Sequence, residues 1–113
     1  MKTTHADGER LQALVRAFRS RRLLVLADLV ADEFVYGRVQ RISREAPVLI
    51  LEHEGSAIRP GGGANAVHNI KSLGGTPLPF GVIGRDDHGR CLTALFRASG
   101  ISTAHVEIGR AHV

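Results

Sequence analysis

A run of glycines at the start of a helical segment constrains this chain more than any other feature. The residues Pro60-Gly61-Gly62-Gly63-Ala64-Asn65 lead into an apolar pattern that predicts a helix as far as about Leu73. Because glycines carry no side chains, the backbone N–H groups at the beginning of this helix can face a ligand. Asn65 adds an amide that both donates and accepts hydrogen bonds. The run therefore predicts a site for a small molecule that is rich in hydroxyls or carries an anionic group.

The rest of the chain alternates between predicted strands and helices, so the predicted fold class is α/β. The apolar run Leu23 to Ala27 is typical of a strand that is buried on both faces in a parallel sheet. Periodicity predicts two further helices, at about Asp7 to Arg19 and His88 to Ser99. Apolar runs and turn residues predict strands at Phe34 to Val39, Val48 to His53 and Leu78 to Ile83. A turn at Gly55 is expected to lead into a short strand at Ala57 to Arg59, and His105 to Glu107 is the expected beginning of another strand. No repeat or linker interrupts this order, which indicates one domain or one piece of a domain.

Composition limits the classes of partner. The net charge is +4 and the pI is about 10.2, but the arginines at 16, 19, 21 and 22 cluster at the end of a predicted helix, where cations complement the helix dipole. With one Tyr and four Phe, few rings are available to stack on bases, so we expect no nucleic-acid partner.

No apolar run is long enough to span a membrane, and Met1 to Glu9 is too polar for a signal peptide. We therefore expect a cytoplasmic protein without a membrane partner, in which the single cysteine, Cys91, is a small buried side chain.

Two nucleotide-binding motifs and a metal site are the alternatives to this interpretation. A phosphate-binding P-loop requires Gly-Lys-Ser/Thr four residues after a glycine, and Lys71 is preceded by Ile70, so the spacing excludes it. A dinucleotide-binding fingerprint fits Gly61, Gly63 and Ala66 but should follow a buried strand directly, and it remains a less favoured alternative. The six histidines show no ligand spacing, so no metal site is predicted.

Several motifs together resemble one family. The run Gly61 to Asn65, followed by Gly74 and Gly84, resembles the N-terminal signature of the PfkB/ribokinase family of sugar kinases. Upstream, Leu24 to Asp28 and Asp32 look like the first strand of that family and its aspartate. Two further segments, Tyr36-Gly37 and Arg41 to Val48, are similar to the heptose-7-phosphate kinases that form the kinase half of bifunctional ADP-heptose synthases. The resemblance covers residues from about 9 to 106.

The resemblance implies a fold and a site. The expected fold is the N-terminal part of a ribokinase-like three-layer α/β/α domain, with a small lid of strands at about residues 34–59 that pairs between the subunits of a homodimer. The expected substrate is a small-molecule sugar phosphate. Arg41 is a candidate for the phosphate contact, with a solvated surface arginine as the favoured alternative. The implied substrate-binding residues are Asp32, Gly61, Gly62, Gly63 and Asn65. ATP and Mg²⁺ are implied as cofactors, although the family residues that bind them do not occur in this chain.

The late Gly-Ala-Gly-Asp motif that supplies the catalytic base of the family is also absent from the sequence. We therefore expect residues 1–107 to be a partial kinase domain that is inactive by itself. Residues 108–113 match the translation of a common sequencing adapter and are expected to be a non-native tail. Two classes of function remain open: a portion of a kinase that phosphorylates a heptose phosphate, or a non-catalytic module that binds a sugar or another chain.

Overall fold

A computed structural model describes residues 5–109 of the chain, and the side chains of residues 7–109. Its elements follow the alternation that the sequence predicts. In chain order they are α1 (His5–Ala17), a 3₁₀ turn (Phe18–Ser20), β1 (Arg22–Leu26), β2 (Leu29–Ile42), β3 (Leu49–Gly61), α2 (Gly62–Ser72), β4 (Thr76–Gly84), α3 (Asp87–Ala98) and β5 (Val106–Gly109).

The described strands form two separate sheets. β1, β4 and β5 make a parallel sheet in the order β1-β4-β5, with Leu24 opposite Leu78 and Ile83 opposite Ile108. β2 and β3 make an antiparallel ribbon, which we call the lid. Parallel neighbours need long crossovers, and here the lid with α2 connects β1 to β4, while α3 connects β4 to β5. The lid is therefore inserted between β1 and α2 in the chain.

The core lies where α2 and α3 pack against one face of the parallel sheet. Its buried hydrophobic residues are Leu29, Ala64, Val67, Ile83, Leu92, Phe96 and Ile101. Val25 of β1 packs against this cluster, whereas Leu24 and Leu26, which point to the opposite face, are 64% and 80% exposed. The prediction that the β1 run is buried on both faces is thus wrong for this chain. No element among residues 5–109 covers the second face, so the described part forms two layers.

The lid differs from its prediction in one respect. Gly55 does not form a turn: β3 continues through it, and it lies opposite Tyr36. The register instead shifts at two bulges, between Tyr36 and Gly37 and between Val39 and Arg41. A glycine inside a strand commonly marks such an irregularity, because it adds no side chain to the pleated surface. The two long strands therefore form one continuous ribbon, and the predicted short strand after Gly55 is a part of β3.

Two further predictions concern the cysteine in α3 and the C-terminal tail. Cys91 is exposed rather than buried, because the core-facing side of α3 is the one that carries Leu92 and Phe96. Ile108 and Gly109 pair with β4 as the last residues of β5, and residues 110–113 lie outside the described range. The non-native tail thus stays a prediction. None of the helices within residues 5–109 is long and apolar enough to cross a membrane.

Candidate functional site

The predicted site lies where β3 passes directly into α2. Gly61 precedes the helix in an extended conformation, and no side chain caps the helix at this end. Gly62 has φ +50°, a left-handed value that favours glycine, and the N–H of Gly63 donates to the carbonyl oxygen of Asp28 at 2.8 Å. This hydrogen bond, with the backbone bridge between Leu29 and Gly62, holds the turn between β1 and β2 against the first turn of α2.

Asp32 is placed over this turn by the register of the lid. It lies opposite Arg59 in β2–β3 pairing, and Val30 lies opposite Gly61. A methyl group added at Gly61 would be only 2.3 Å from Oδ2 and 2.7 Å from Oδ1 of Asp32. The carboxylate therefore occupies the space that a side chain at Gly61 would fill. Sequence reasoning proposed Asp32 and the glycines for one site, and the structure brings them together.

The polar groups of this site are available to a ligand. Asp32 and Asn65 are both exposed, and within the described part of the chain their side chains have no hydrogen-bond or ion-pair partner. A carboxylate accepts hydroxyl protons through two oxygens, and an amide both donates and accepts. With the uncapped first turn of α2 beside them, these groups can orient a ring that carries several hydroxyls. We call Asp32, Gly61, Gly62, Gly63 and Asn65 the cradle.

Arg41 lies far from the cradle in this chain. It is exposed near the outer end of β2, where it pairs with Ile50. Nine residues of extended strand separate it from Asp32, which corresponds to roughly 30 Å at about 3.3 Å per residue. A contact between Arg41 and a ligand in the cradle would thus require the lid of a second subunit or a bent lid.

Two features at the base of the lid were not found by sequence reasoning. Arg59 lies over the ring of Phe34, with its guanidinium carbon 5.4 Å from the ring centroid. On the other face of β2, Oε2 of Glu33 is 2.9 Å from Nε2 of His88, which is in the first turn of α3. Glu33 and His88 are 55 residues apart in the chain, and no local pattern signals that they meet.

The contact between Glu33 and His88 perturbs both groups. The hydrogen bond from His88 lowers the pKa of Glu33 below its ordinary value of 4.5, and the imidazolium charge acts in the same direction. The same hydrogen bond, with the charges of Glu33, Asp86 and Asp87, raises the pKa of His88 above 6.5. This pair links the lid to α3, whereas the ion pairs of Arg38 lie within the lid and that of Arg90 lies within α3.

The surroundings of the glycines also bear on the alternatives. A dinucleotide fingerprint joins a parallel strand to its crossover helix, but Gly61 and Gly63 follow a strand of the antiparallel lid. The structure does not provide the context that this alternative requires. Among the side chains of residues 7–109, no three His, Cys, Asp or Glu side chains are grouped in a way that could hold a metal ion.

Comparison with known proteins identifies the family. A model described as the pfkB family of carbohydrate kinases matches residues 22–111. This chain belongs to the pfkB family. The match includes the lid, the glycine run and the parallel sheet, so the resemblance inferred from the motifs is confirmed. Kinases of this family use ATP and act on small-molecule sugar substrates.

Curated relatives that this pfkB-family chain matches are much longer than the chain itself. It is 45% identical over 89 residues to the Bifunctional protein HldE of Hyphomonas neptunium, matching 79% of this chain and 18% of that protein. It is 48% identical over 85 residues to the protein of the same name from Caulobacter sp. strain K31, matching 75% and 17%. The chain thus spans less than a fifth of the length of these relatives.

Solved structures agree on the fold. Ribokinase from Cryptococcus neoformans in complex with ADP aligns with a TM-score of 0.57 and 29% identity, over 82% of this chain and 28% of that one. A carbohydrate kinase from Agrobacterium tumefaciens aligns with a TM-score of 0.55 and 24% identity, over 80% and 26%. The predicted ribokinase-like α/β fold is confirmed.

Proposed function

We propose that this chain is the sugar-binding portion of an ATP-dependent carbohydrate kinase that phosphorylates D-glycero-D-manno-heptose 7-phosphate at its anomeric position. The phosphorylated product would serve the synthesis of ADP-heptose for lipopolysaccharide in the cytoplasm. The observation that carries this proposal is the unpartnered Asp32 carboxylate, held over Gly61 beside the uncapped first turn of α2. The similarity to the HldE relatives and the Arg41 to Val48 segment support the heptose as substrate.

In this proposal each part of the cradle has a separate task. Asp32 accepts hydrogen bonds from two sugar hydroxyls, and the amide of Asn65 fixes the orientation of the ring. Gly61 leaves room for the carboxylate, since any side chain there would displace it. The lid covers the sugar and excludes water, which strengthens the polar interactions beneath it.

ATP and Mg²⁺ belong to the proposed reaction, since kinases of this family use ATP. We propose that the nucleotide site and the base that deprotonates the sugar hydroxyl are supplied by the rest of a longer kinase. The 113-residue chain would then bind the sugar without transferring a phosphoryl group.

The outer part of the lid supports pairing with a second subunit. It exposes apolar side chains on a two-stranded ribbon, including Val35 at 65%, Val39 at 55%, Ile42 at 67% and Leu51 at 57%. An isolated ribbon of two strands is marginally stable, and its open edges can pair with other strands. A homodimer formed through the lids would cover these residues, and it would bring Arg41 of one lid nearer to the second subunit.

The proposal is tested by calorimetric titration of the 113-residue chain with heptose 7-phosphate. We expect saturable binding by the wild type, and a loss of about 10- to 100-fold in affinity for Asp32→Asn, since this substitution removes a charged hydrogen-bond acceptor. Equal affinity of wild type and Asp32→Asn would refute the assignment of Asp32. Phosphoryl transfer from ATP by the chain alone would refute the proposal that the rest of a longer kinase supplies the nucleotide site and the base.

A second candidate is a non-catalytic module that binds a sugar or another chain. The exposed apolar face of β1, with Leu24 and Leu26, favours a protein contact there. The two candidates differ in what the chain does with the remainder of a kinase. A module would transfer no phosphoryl group under any condition, whereas a portion of a larger kinase would gain phosphoryl transfer from ATP when the remainder of the kinase is added in trans.

A further inference from the structure

The face of the lid that points toward the cradle carries a cation as well as a carboxylate. Asp32 and Arg59 are directly opposite each other in the antiparallel pairing, so their side chains leave the same face of the lid. Gly61 follows Arg59 by two residues and Phe34 follows Asp32 by two, which places both on this face as well. Arg59 is thus the cationic side chain nearest to Asp32 in the register of the lid.

Arg59 does not form an ion pair with Asp32 although their backbones are adjacent. Its guanidinium carbon instead lies over the ring of Phe34, 5.4 Å from the centroid, and no ion pair with a carboxylate of the described residues involves it. The ring attracts the guanidinium charge without forming an ion pair, so the N–H groups remain available to a further partner. The two opposite charges at the cradle are therefore both unpaired and both accessible.

This arrangement suits a substrate that has hydroxyls at one end and a phosphate at the other. A neutral sugar needs only acceptors and donors such as those of Asp32 and Asn65. A phosphate dianion near Asp32 would be repelled by the carboxylate unless a cation lay beside it, and arginine binds phosphate oxygens through two parallel hydrogen bonds. Arg41, about 30 Å along β2 by strand length, does not provide that charge within the same chain.

We propose that Arg59 binds the phosphate of the sugar substrate, and that the ring of Phe34 positions its guanidinium for this contact. The inference rests on the proposed sugar-binding function of the cradle and assigns the specificity for phosphorylated over unphosphorylated sugars to Arg59. Asp32 holds the hydroxyls, and Arg59 distinguishes the anionic substrate from the neutral one.

The test compares two ligands, heptose 7-phosphate and the same heptose without phosphate, by calorimetric titration of the full 113-residue chain. We expect Arg59→Gln to weaken binding of the phosphorylated sugar by about 10- to 100-fold, the range for a hydrogen bond to a charged group. Its affinity for the neutral sugar should stay within about twofold of wild type, since surface substitutions away from a contact have small effects. Arg59→Lys keeps the charge without the bidentate geometry and should lose only part of the preference.

Two further variants separate the alternatives. Arg38→Gln is the matched control, because Arg38 is another exposed lid arginine, and it is already paired with Glu54 at 3.2 Å. We expect it to keep the preference for the phosphate. Phe34→Leu removes the aromatic ring beneath the guanidinium of Arg59 and should reduce, but not abolish, the preference for the phosphorylated sugar.

Each outcome of the titrations has a defined meaning. If the wild type binds neither sugar, the proposed function of the cradle fails, whatever Arg59 does. If the wild type prefers the phosphorylated sugar and Arg59→Gln keeps that preference, the role of Arg59 is refuted while the cradle stands. A loss of preference in Arg41→Gln but not in Arg59→Gln would likewise overturn the inference and assign the phosphate to Arg41. If Arg59→Gln weakens both sugars equally, Arg59 supports the cradle and does not select for phosphate, which also overturns it.

Discussion

Replacing Gly61 by alanine is expected to disable the cradle while leaving the fold intact. The backbone of Gly61 is extended, with φ −120° and ψ 172°, a conformation that alanine adopts without strain. The atoms nearest to the new methyl group would all belong to the Asp32 side chain, with Oδ2 at 2.3 Å. Because that side chain is exposed and free to rotate, it can move away at little cost to the free energy of unfolding.

The displacement determines the loss of binding. Ordinary contact begins at 3.4 Å, so Oδ2 must retreat by 3.4 − 2.3 = 1.1 Å. A hydrogen bond of about 2.8 Å to a sugar hydroxyl would then be stretched to about 3.9 Å, beyond the range of a hydrogen bond. Losing a hydrogen bond to a charged group costs about 1.5–3 kcal/mol, which is about a 10- to 100-fold loss of affinity.

Calorimetric titration with heptose 7-phosphate measures the affinity, and thermal melting followed by circular dichroism measures the stability. Gly55→Ala is the matched control, since a methyl group at Gly55, also in β3, would meet nothing within 4 Å. We expect both variants to melt near the wild-type temperature and only Gly61→Ala to lose affinity. Wild-type affinity in Gly61→Ala would refute the reasoning, because it would mean that the carboxylate is not needed where the structure places it.

Four other outcomes are expected. Gly63→Ala should lower the melting temperature rather than act on binding alone, because its methyl group would lie 2.3 Å from Cβ of Ala27 and 2.7 Å from a backbone oxygen, and such overpacking costs about 1–3 kcal/mol. Phe96→Ala, at a fully buried position, should cost about 3–5 kcal/mol in chemical denaturation. Val39→Lys, at a 55% exposed lid position, should abolish a lid-mediated dimer in sedimentation and make the melting temperature independent of protein concentration; a dimer that persists would place the interface elsewhere. Glu33→Gln should lower the melting temperature most between about pH 4.5 and 6.5. The stabilisation from the raised pKa of His88 is complete below 6.5 and lost as the pH rises through that pKa, and the stabilisation from the lowered pKa of Glu33 is present above 4.5 and lost as the pH falls through it. A pH-independent difference would contradict the pairing of Glu33 with His88.

The elements that could be predicted from sequence are those with local signals. The helix after the glycines follows from spacing alone, and it ends at Ser72 before Gly74, whose φ of +96° matches its predicted role as a helix stop. The predictions that failed depend on neighbours. Leu24 and Leu26 are apolar whether or not another layer covers them, and Gly55 permits either a turn or a bulge until the opposite strand sets the register.

The sequence by itself determined the α/β alternation and the family, and it proposed the residues of the cradle, because backbone freedom at glycine and a run of motif residues are properties of short segments. Only the tertiary structure decided how these residues meet. The register of the lid places the Asp32 carboxylate in the space left by the missing side chain of Gly61 and sets Arg59 opposite Asp32. The same register leaves Arg41 toward the outer end of the ribbon. These relations arise from pairing between strands that are distant in the chain, where a shift by one residue would turn every side chain to the other face.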